Sequence, residues 1–260
     1  MYGQSVVLFR KLIVWVAVFV VIELVGVAMA SSEPLVWLSQ IISLANWSML
    51  TYMAYATLLS SHIERPSNPL PRLAGFVVRY AGLAILVFVL AMVVLVFSQT
   101  YLAYSYSEDF SQDLLDAEFG NALLVAAIAA ELLFVLVYGL LGTCLPASVL
   151  RHRQGLSQTF RQGRSTFWAT AGLLIAGPVI LDLLSFGADM WAEYLSTGDV
   201  LSIESDVHLF TQGWQPDVPV VLAVVLVNLF HALSLIMTSW VLTGVYLEAV
   251  GHNKVAAVFE

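Results

Sequence analysis

Charged residues are scarce in this chain of 260 residues: they make up 11% of it, whereas hydrophobic residues make up 60%. A soluble domain carries about twice that share of charge, so the composition excludes an ordinary soluble enzyme and also a disordered chain. The single cysteine, Cys144, excludes a scaffold of intrachain disulfides. The class that remains is a polytopic membrane protein.

The sequence also lacks the short motifs that mark common enzymes. It contains no phosphate-binding glycine loop, no nucleophile elbow and no zinc-protease signature. No apolar run holds two His at the spacing of metal ligands. We therefore expect no catalytic residue, no metal and no cofactor, and a protein that is not an enzyme.

Long apolar runs take the place of such motifs. Six are long enough to cross a bilayer, which takes about 20 helical residues. They cover residues 12–30, 35–60, 73–97, 121–147, 166–187 and 218–248. Lipid offers the backbone no hydrogen-bond partners and the runs do not alternate polar with apolar residues, so helices are predicted rather than barrel strands. The expected fold is all-α, a single domain of six transmembrane helices over residues 1–260.

Basic residues occur on only one side of this predicted topology. Apart from Arg79, which falls inside the third run, every Lys and Arg precedes the first span, follows the sixth, or lies in the loops after the second and fourth. The positive-inside rule then predicts that both termini are cytoplasmic. The loops of the opposite, outer side contain no Lys or Arg and hold most of the carboxylates.

Two acidic outer segments, residues 99–119 and 188–217, mix carboxylates with aromatic side chains. Their pattern predicts short amphipathic helices on the outer membrane face. One interpretation is the solvation of exposed loops, and the other is a docking surface for a membrane-protein partner. The net charge of −8 argues against nucleic acid as a partner.

Residues 151–165 form a basic counterpart on the inner side, where Leu156 and Phe160 stand between arginines. This pattern predicts a short amphipathic helix against the phospholipid bilayer. The residues suited to anionic lipid headgroups are Arg151, Arg153, Arg161 and Arg164. The alternative is that these arginines serve only to orient the chain.

Ionisable residues inside the spans are candidates for function, since a charge at the bilayer centre costs about 2.5–3.5 kcal/mol. An intramembrane polar site is predicted from Glu23, Glu131, Asp182, His231, Asn228 and Arg79. Asp182 follows a predicted kink at Gly177-Pro178, and Arg79 lies close enough to the inner face to snorkel. Such a site would relay protons or bind a cation. The other interpretation is a set of interhelical hydrogen bonds between protonated carboxylic acids and polar neighbours.

One hairpin resembles a known family. Its residues are Cys144-Leu145-Pro146, Arg151 to Arg153, Gly155-Leu156 and the run from Phe160 to Ser165. The stretch resembles bacterial six-helix inner-membrane proteins related to the membrane domain fused to some glycerophosphodiester phosphodiesterases. In those proteins a Pro ends one span, a short cytoplasmic amphipathic helix follows, and a basic residue precedes the next span. The resemblance implies an inner-membrane location. It implies no hydrolase activity, because the catalytic domain of those enzymes is absent.

Two functions fit these features. The first is a non-enzymatic accessory or assembly subunit of a membrane complex, favoured by the acidic outer segments and the lack of catalytic motifs. The alternative is a small transporter or channel for a cation or a proton-coupled solute, which would use the intramembrane carboxylates and His231. Convergence of these side chains in the fold would favour the alternative, whereas their scatter over separate helix pairs would favour structural hydrogen bonds.

Overall fold

The computed structural model describes residues 2–30, 35–60, 70–105, 112–150, 155–198, 209 and 216–250 of the chain. Its α-helices are α1 (Tyr2–Ala30), α2 (Val36–Leu58), α3 (Leu70–Ser105), α4 (Gln112–Leu141), α5 (Cys144–Val149), α6 (Leu156–Leu174), α7 (Ile180–Thr197) and α8 (Val218–Ala249). A π-helical turn, Ile175–Val179, joins α6 to α7. Over these residues the protein is all-helical, as predicted.

Four of the described helical segments are long and apolar enough to cross a membrane. They are Arg10–Met29, Leu73–Ser98, Leu156–Thr197 and Val218–Ala249. A fifth segment, Val125–Leu141 in α4, is apolar but shorter. Several hydroxyl and amide side chains make α2 more polar than these helices. The structure is thus a membrane-compatible bundle with four candidate spans, and a total of six spans stays a prediction.

Where the structure describes them, the predicted amphipathic segments are continuations of long helices rather than separate short ones. On the acidic side, α3 extends to Ser105, α4 begins at Gln112, and α7 extends to Thr197. On the basic side, α6 begins at Leu156 and continues into the predicted fifth span. No proline interrupts residues 99–105, 112–119 or 155–174, so helical hydrogen bonding carries on past the apolar stretch in these parts of the chain. The prediction of separate surface helices is corrected in this respect.

A proline and a glycine determine the course of the α6–α7 segment. Pro178 has no N–H to donate to the carbonyl of Leu174, and the helix widens into the π-helical turn at this point. The segment ends at Gly198, whose left-handed φ of 78° is accessible to glycine without strain. Its N–H donates to the carbonyl of Tyr194 at 2.9 Å, which completes the cap.

Helix α8 is the centre of the bundle and the most buried of the four candidate spans, while α3 is the least buried. Helix α8 packs against α1, α2, α6, α7 and the π-helical turn. Asp217 caps its first turn by accepting a hydrogen bond from the N–H of Val220 at 3.4 Å. This central position explains why the polar side chains of Asn228, Ser234 and Thr238 on α8 are buried inside the protein.

An aromatic core fills one end of the bundle. Fully or almost fully buried side chains from α2, α3, α4, α5 and α8 meet there, among them Tyr55, Phe76, Tyr80, Tyr138 and Tyr246. The rings of Phe76 and Tyr80 stack with their centroids 6.0 Å apart. We call this cluster the tyrosine core. It closes the bundle at the end where α2 and α8 terminate.

Candidate functional site

A cavity of about 490 Å³ lies between α2, α3, α4, α7 and α8. Its polar lining comes from Thr51, Tyr80, Glu131, Tyr138, Asp182, Ser185, Asp189, His231, Ser234 and Thr238. Its remaining aromatic lining comes from Trp47, Phe88, Phe134 and Phe186. The volume falls within the range of about 300–1,000 Å³ that is typical of small-molecule sites.

The cavity is closed at one end and open at the other. At the closed end, Tyr80 and Tyr138 belong both to its lining and to the tyrosine core. At the other end, the lining includes Phe88 and Asp189, which are exposed. Helix α4 packs closely on α6 but makes much less contact with α7. The two helices α4 and α7 therefore separate beyond the π-helical turn that joins α6 to α7. This separation leaves room for the cavity.

A histidine, an aspartate and a serine form the polar centre of the cavity. Nδ1 of His231 lies 3.5 Å from Oδ1 of Asp182, and the two side chains are 27% and 19% exposed. The Ser234 hydroxyl donates to Oδ2 of Asp182 at 2.7 Å. These contacts join α7 to α8 and leave Nε2 of His231 without a hydrogen-bond partner among the described residues. The imidazole thus has one nitrogen beside a carboxylate and the other available.

Glu131 lines the same cavity from α4. Its Oε2 is shielded from solvent and has no hydrogen-bond partner within the described part of the chain. A buried polar atom without a partner is costly, and in native proteins it usually has a reason. A bound proton or a bound solute would each supply the missing partner.

Aromatic rings surround His231. The Trp47 ring lies 4.7 Å from the imidazole, measured between centroids, and the Phe19 ring stacks on it at 6.3 Å. On the α4 wall, the ring centroids of Phe134 and Tyr138 are 4.6 Å apart. Ring faces carry negative electrostatic potential, so these walls favour a positive charge, whether on His231 or on a ligand.

Glu23 belongs to a separate cluster between α1 and α2. Its Oε1 accepts from Asn46 Nδ2 at 2.7 Å, and its Oε2 accepts from the Ser43 hydroxyl at 2.8 Å. Asn46 also donates to the carbonyl of Phe19 at 3.0 Å. Glu23 is 7% exposed, and its carboxylate oxygens are fully engaged by these donors. This geometry is that of an interhelical hydrogen-bond cluster.

Arg79 and Asn228 also lie away from the cavity lining. Nη1 of Arg79 donates to the carbonyl of Cys144 at 3.2 Å, which ties α3 to α5. Nδ2 of Asn228 donates to the carbonyl of Val224 on its own helix at 2.8 Å. Of the six residues predicted to form one polar site, the structure therefore brings together Glu131, Asp182 and His231. It separates the other three, since Glu23 is bonded to α2, Arg79 to α5 and Asn228 to its own helix.

The basic residues predicted to contact lipid headgroups are only partly described. Arg161 and Arg164 are exposed on α6, next to the exposed side chains of Phe160 and Trp168. Arg151 and Arg153 lie outside the described residues. The acidic segments 99–119 and 188–217 are also described only in part. Headgroup contact and partner docking both stay predictions.

The polar residues of the cavity that the sequence reasoning missed include Thr51, Tyr80, Ser185 and Asp189. Ser185 and Asp189 could have been predicted from the sequence. Asp182, Ser185 and Asp189 follow one another at spacings of three and four and therefore share a face of α7. The Ser185 hydroxyl donates to the carbonyl of Val227 on α8 at 3.0 Å. Tyr80 gave no such signal, since its burial depends on the packing of α3 against other helices.

Comparisons with protein-family models, with curated proteins and with solved structures gave no match for this chain. The resemblance of the hairpin around Cys144 to bacterial six-helix membrane proteins is therefore still a prediction. Function has to be argued from the cavity itself.

Proposed function

We propose that this chain is a multi-pass membrane transporter that binds a small solute in the cavity and couples its movement to protons. The observation that carries the proposal is the convergence of Glu131, Asp182 and His231 on one cavity. Ionisable groups at membrane depth are costly and typically mark ion or substrate pathways. Each of the three side chains has a buried polar atom that forms no hydrogen bond within the described part of the chain, which adds to this argument.

Asp182 and His231 are suited to carry the proton. An imidazole changes its charge near neutral pH more readily than any other ordinary side chain. With Nδ1 beside the carboxylate and Nε2 facing no protein partner, His231 is able to exchange protons with the cavity while Asp182 compensates its charge. Glu131 on α4 supplies a second carboxyl group to the cavity.

The fold offers a route for alternating access. The cavity opens at the Asp189 end and is closed at the other end by the tyrosine core. Movement of a solute requires that the closed end opens in turn. The π-helical turn with Pro178 interrupts regular hydrogen bonding directly before Asp182, at a place where helices commonly bend. We propose this turn as the hinge.

Solute-dependent proton movement tests the proposal. Purified protein is reconstituted into vesicles that contain a pH-sensitive dye, and a panel of small cationic, zwitterionic and neutral solutes is added outside. At least one solute class is expected to change the internal pH in a saturable way. Glu248→Gln, which alters an exposed carboxylate at the end of α8, is the matched control and should behave as wild type. If no solute moves protons above the level of protein-free vesicles, the proposal is wrong.

We further propose six spans, with both termini in the cytoplasm of a bacterial cell and the protein in its inner membrane. With 23 residues, α2 is about 35 Å long and matches a hydrocarbon core of about 30 Å. If only the four most apolar helices crossed, Arg65 and Arg72 would lie on the side opposite Arg10 and Lys11. The positive-inside rule disfavours that arrangement.

Cysteine labelling is expected to distinguish the two topologies. In a Cys144→Ser background, Ser32→Cys and Ser111→Cys should react with a membrane-impermeant maleimide from outside the inner membrane, and Ser67→Cys only after permeabilisation. In a four-span topology the results for these two positions are reversed, since Ser67→Cys becomes accessible from outside and Ser111→Cys becomes protected. That reversal would contradict six spans.

The alternative proposal is an accessory or assembly subunit of a membrane complex. The observation that favours it is the exposed face of α3, where Gly75 and Gly82 have open space around them. Small residues of this kind allow a helix of another protein to approach closely. Mass spectrometry of the protein extracted in mild detergent discriminates, because a subunit retains a stoichiometric partner and a self-sufficient transporter does not.

A further inference from the structure

The described lining of the cavity carries carboxyl groups and no fixed positive charge. Three carboxylates line it, those of Glu131, Asp182 and Asp189, and no Lys or Arg does so among the described residues. His231 is the remaining ionisable nitrogen, and it is already next to Asp182. Anionic solutes would meet like charge in a site of low dielectric, where such repulsion is strong.

The cavity is also too large and too aromatic for a bare inorganic cation. A metal ion requires several oxygen or nitrogen ligands at about 2–2.6 Å, and within the described residues no group of three His, Cys, Asp or Glu side chains is close enough to provide them. Instead, Trp47, Phe88, Phe134 and Phe186 supply ring faces and apolar area. Ring faces combined with nearby carboxylates are the features that recognise a cation bearing organic groups.

We infer that the cavity is a binding site for an organic cation, held between the carboxylates of Glu131 and Asp182 and the aromatic walls. The inference rests on the proposed function, in that the cavity is taken as the solute site, and it specifies the class of solute. Both side chains line the cavity, and Oε2 of Glu131 and Oδ1 of Asp182 are buried without a hydrogen-bond donor among the described residues. Protons and the organic cation then compete for the same carboxylates, which provides the coupling.

Two probes of nearly the same shape and of opposite charge test whether the cavity selects a cation. Tetraphenylphosphonium is a cation, and tetraphenylborate is an anion of nearly the same size. Their binding to the purified full-length protein in detergent is measured by equilibrium dialysis, in separate cells and against protein-free micelles. The cation is expected to bind saturably with one site per chain, and the anion to show partition into micelles alone.

Variants and pH identify the carboxylates. Glu131→Gln and Asp182→Asn should each raise the Kd for tetraphenylphosphonium about tenfold, because an amide, unlike a carboxyl group, cannot ionise to compensate a cation in a low dielectric. Phe134→Leu removes an aromatic ring but changes the volume of the side chain little, so it should raise the Kd severalfold. Glu248→Gln should leave the Kd unchanged. Acidification should weaken binding, since protonation of the groups that line the cavity (Glu131, Asp182, Asp189 and His231, beside Tyr80 and Tyr138) removes negative charge from a carboxylate or adds positive charge to the imidazole.

The outcomes separate this inference from the proposed function. Equal saturable binding of both probes, or cation binding that neither carboxylate variant weakens, overturns the organic-cation site. If cation binding fails while a zwitterion or neutral solute still moves protons in vesicles, the transporter proposal stands and the solute class is wrong. If the cation binds as expected while no solute moves protons, the site stands and transport is wrong.

Discussion

Asp182→Asn is expected to lower solute-dependent proton movement by about 100-fold, the lower end of what a positioned proton-transfer group contributes. Asn retains an oxygen that accepts the hydrogen bond from Ser234, so the contact between α7 and α8 is kept. It cannot bind a proton, and it cannot compensate a charge on His231, whose Nδ1 lies 3.5 Å from the carboxylate. The loss should therefore be one of coupling rather than of folding.

Two controls separate coupling from structural damage. Ser234→Ala removes the hydrogen-bond donor but leaves the carboxylate, so a reduction of only a fewfold is expected. Glu23→Gln changes a carboxyl group that is more deeply buried than that of Asp182 but held by Ser43 and Asn46 away from the cavity, so proton movement should stay near wild type. All variants are compared at equal reconstitution, with thermal unfolding in detergent as the measure of folding. If Glu23→Gln abolishes proton movement as strongly as Asp182→Asn, the assignment of the proton path to the cavity is wrong.

The all-helical fold was predictable because the bilayer leaves few solutions to the backbone. Apolar runs of sufficient length and the need to satisfy every N–H and C=O group inside a segment predict helices without knowledge of packing. The ends of the helices were less predictable. Ser105 and Thr197 lie well beyond the apolar runs, because polar residues without proline continue a helix as well as apolar ones do.

The faces of the helices were predictable, but their arrangement was not. The stripe of His231, Ser234 and Thr238 on α8 follows from helical spacing, and Ser234 and Thr238 are indeed buried. Which helix each face meets depends on the order of the helices around the bundle. Glu23 meets Asn46 because α1 packs on α2. Glu131 and Asp182 meet across a cavity because α4 and α7 diverge, and a single sequence contains no direct record of that divergence.

The contact between α4 and α6 depends on glycine in a way that the sequence alone concealed. In the sequence, Gly163 lies among polar and basic residues that suggest a surface helix. In the structure, a Cβ atom at Gly163 would meet the carbonyl oxygen of Leu140 and lie 2.7 Å and 2.8 Å from the carbonyl carbon and Cα of that residue. Gly139 on α4 contributes similarly, since a Cβ there would lie 3.1 Å from the Phe167 ring. The two helices approach through these glycines, as small residues allow in membrane bundles.

Gly163→Ala is accordingly expected to destabilise the protein by about 3 kcal/mol, at the upper end of the range for overpacking. The obstructing atoms belong to backbone, which cannot turn aside as a side chain can, so α6 must move away from α4. An apparent Tm about 10 °C lower is expected for a chain of this size. Gly172→Ala on the same helix is the matched control, because a Cβ there meets nothing within 4 Å and alanine favours the helix. Thermal unfolding of both variants in one detergent is the measurement. Equal stability of the two variants would contradict the close α4–α6 contact. It would also contradict the position of the cavity walls, because α4 carries Glu131 and α6 leads into the segment that carries Asp182.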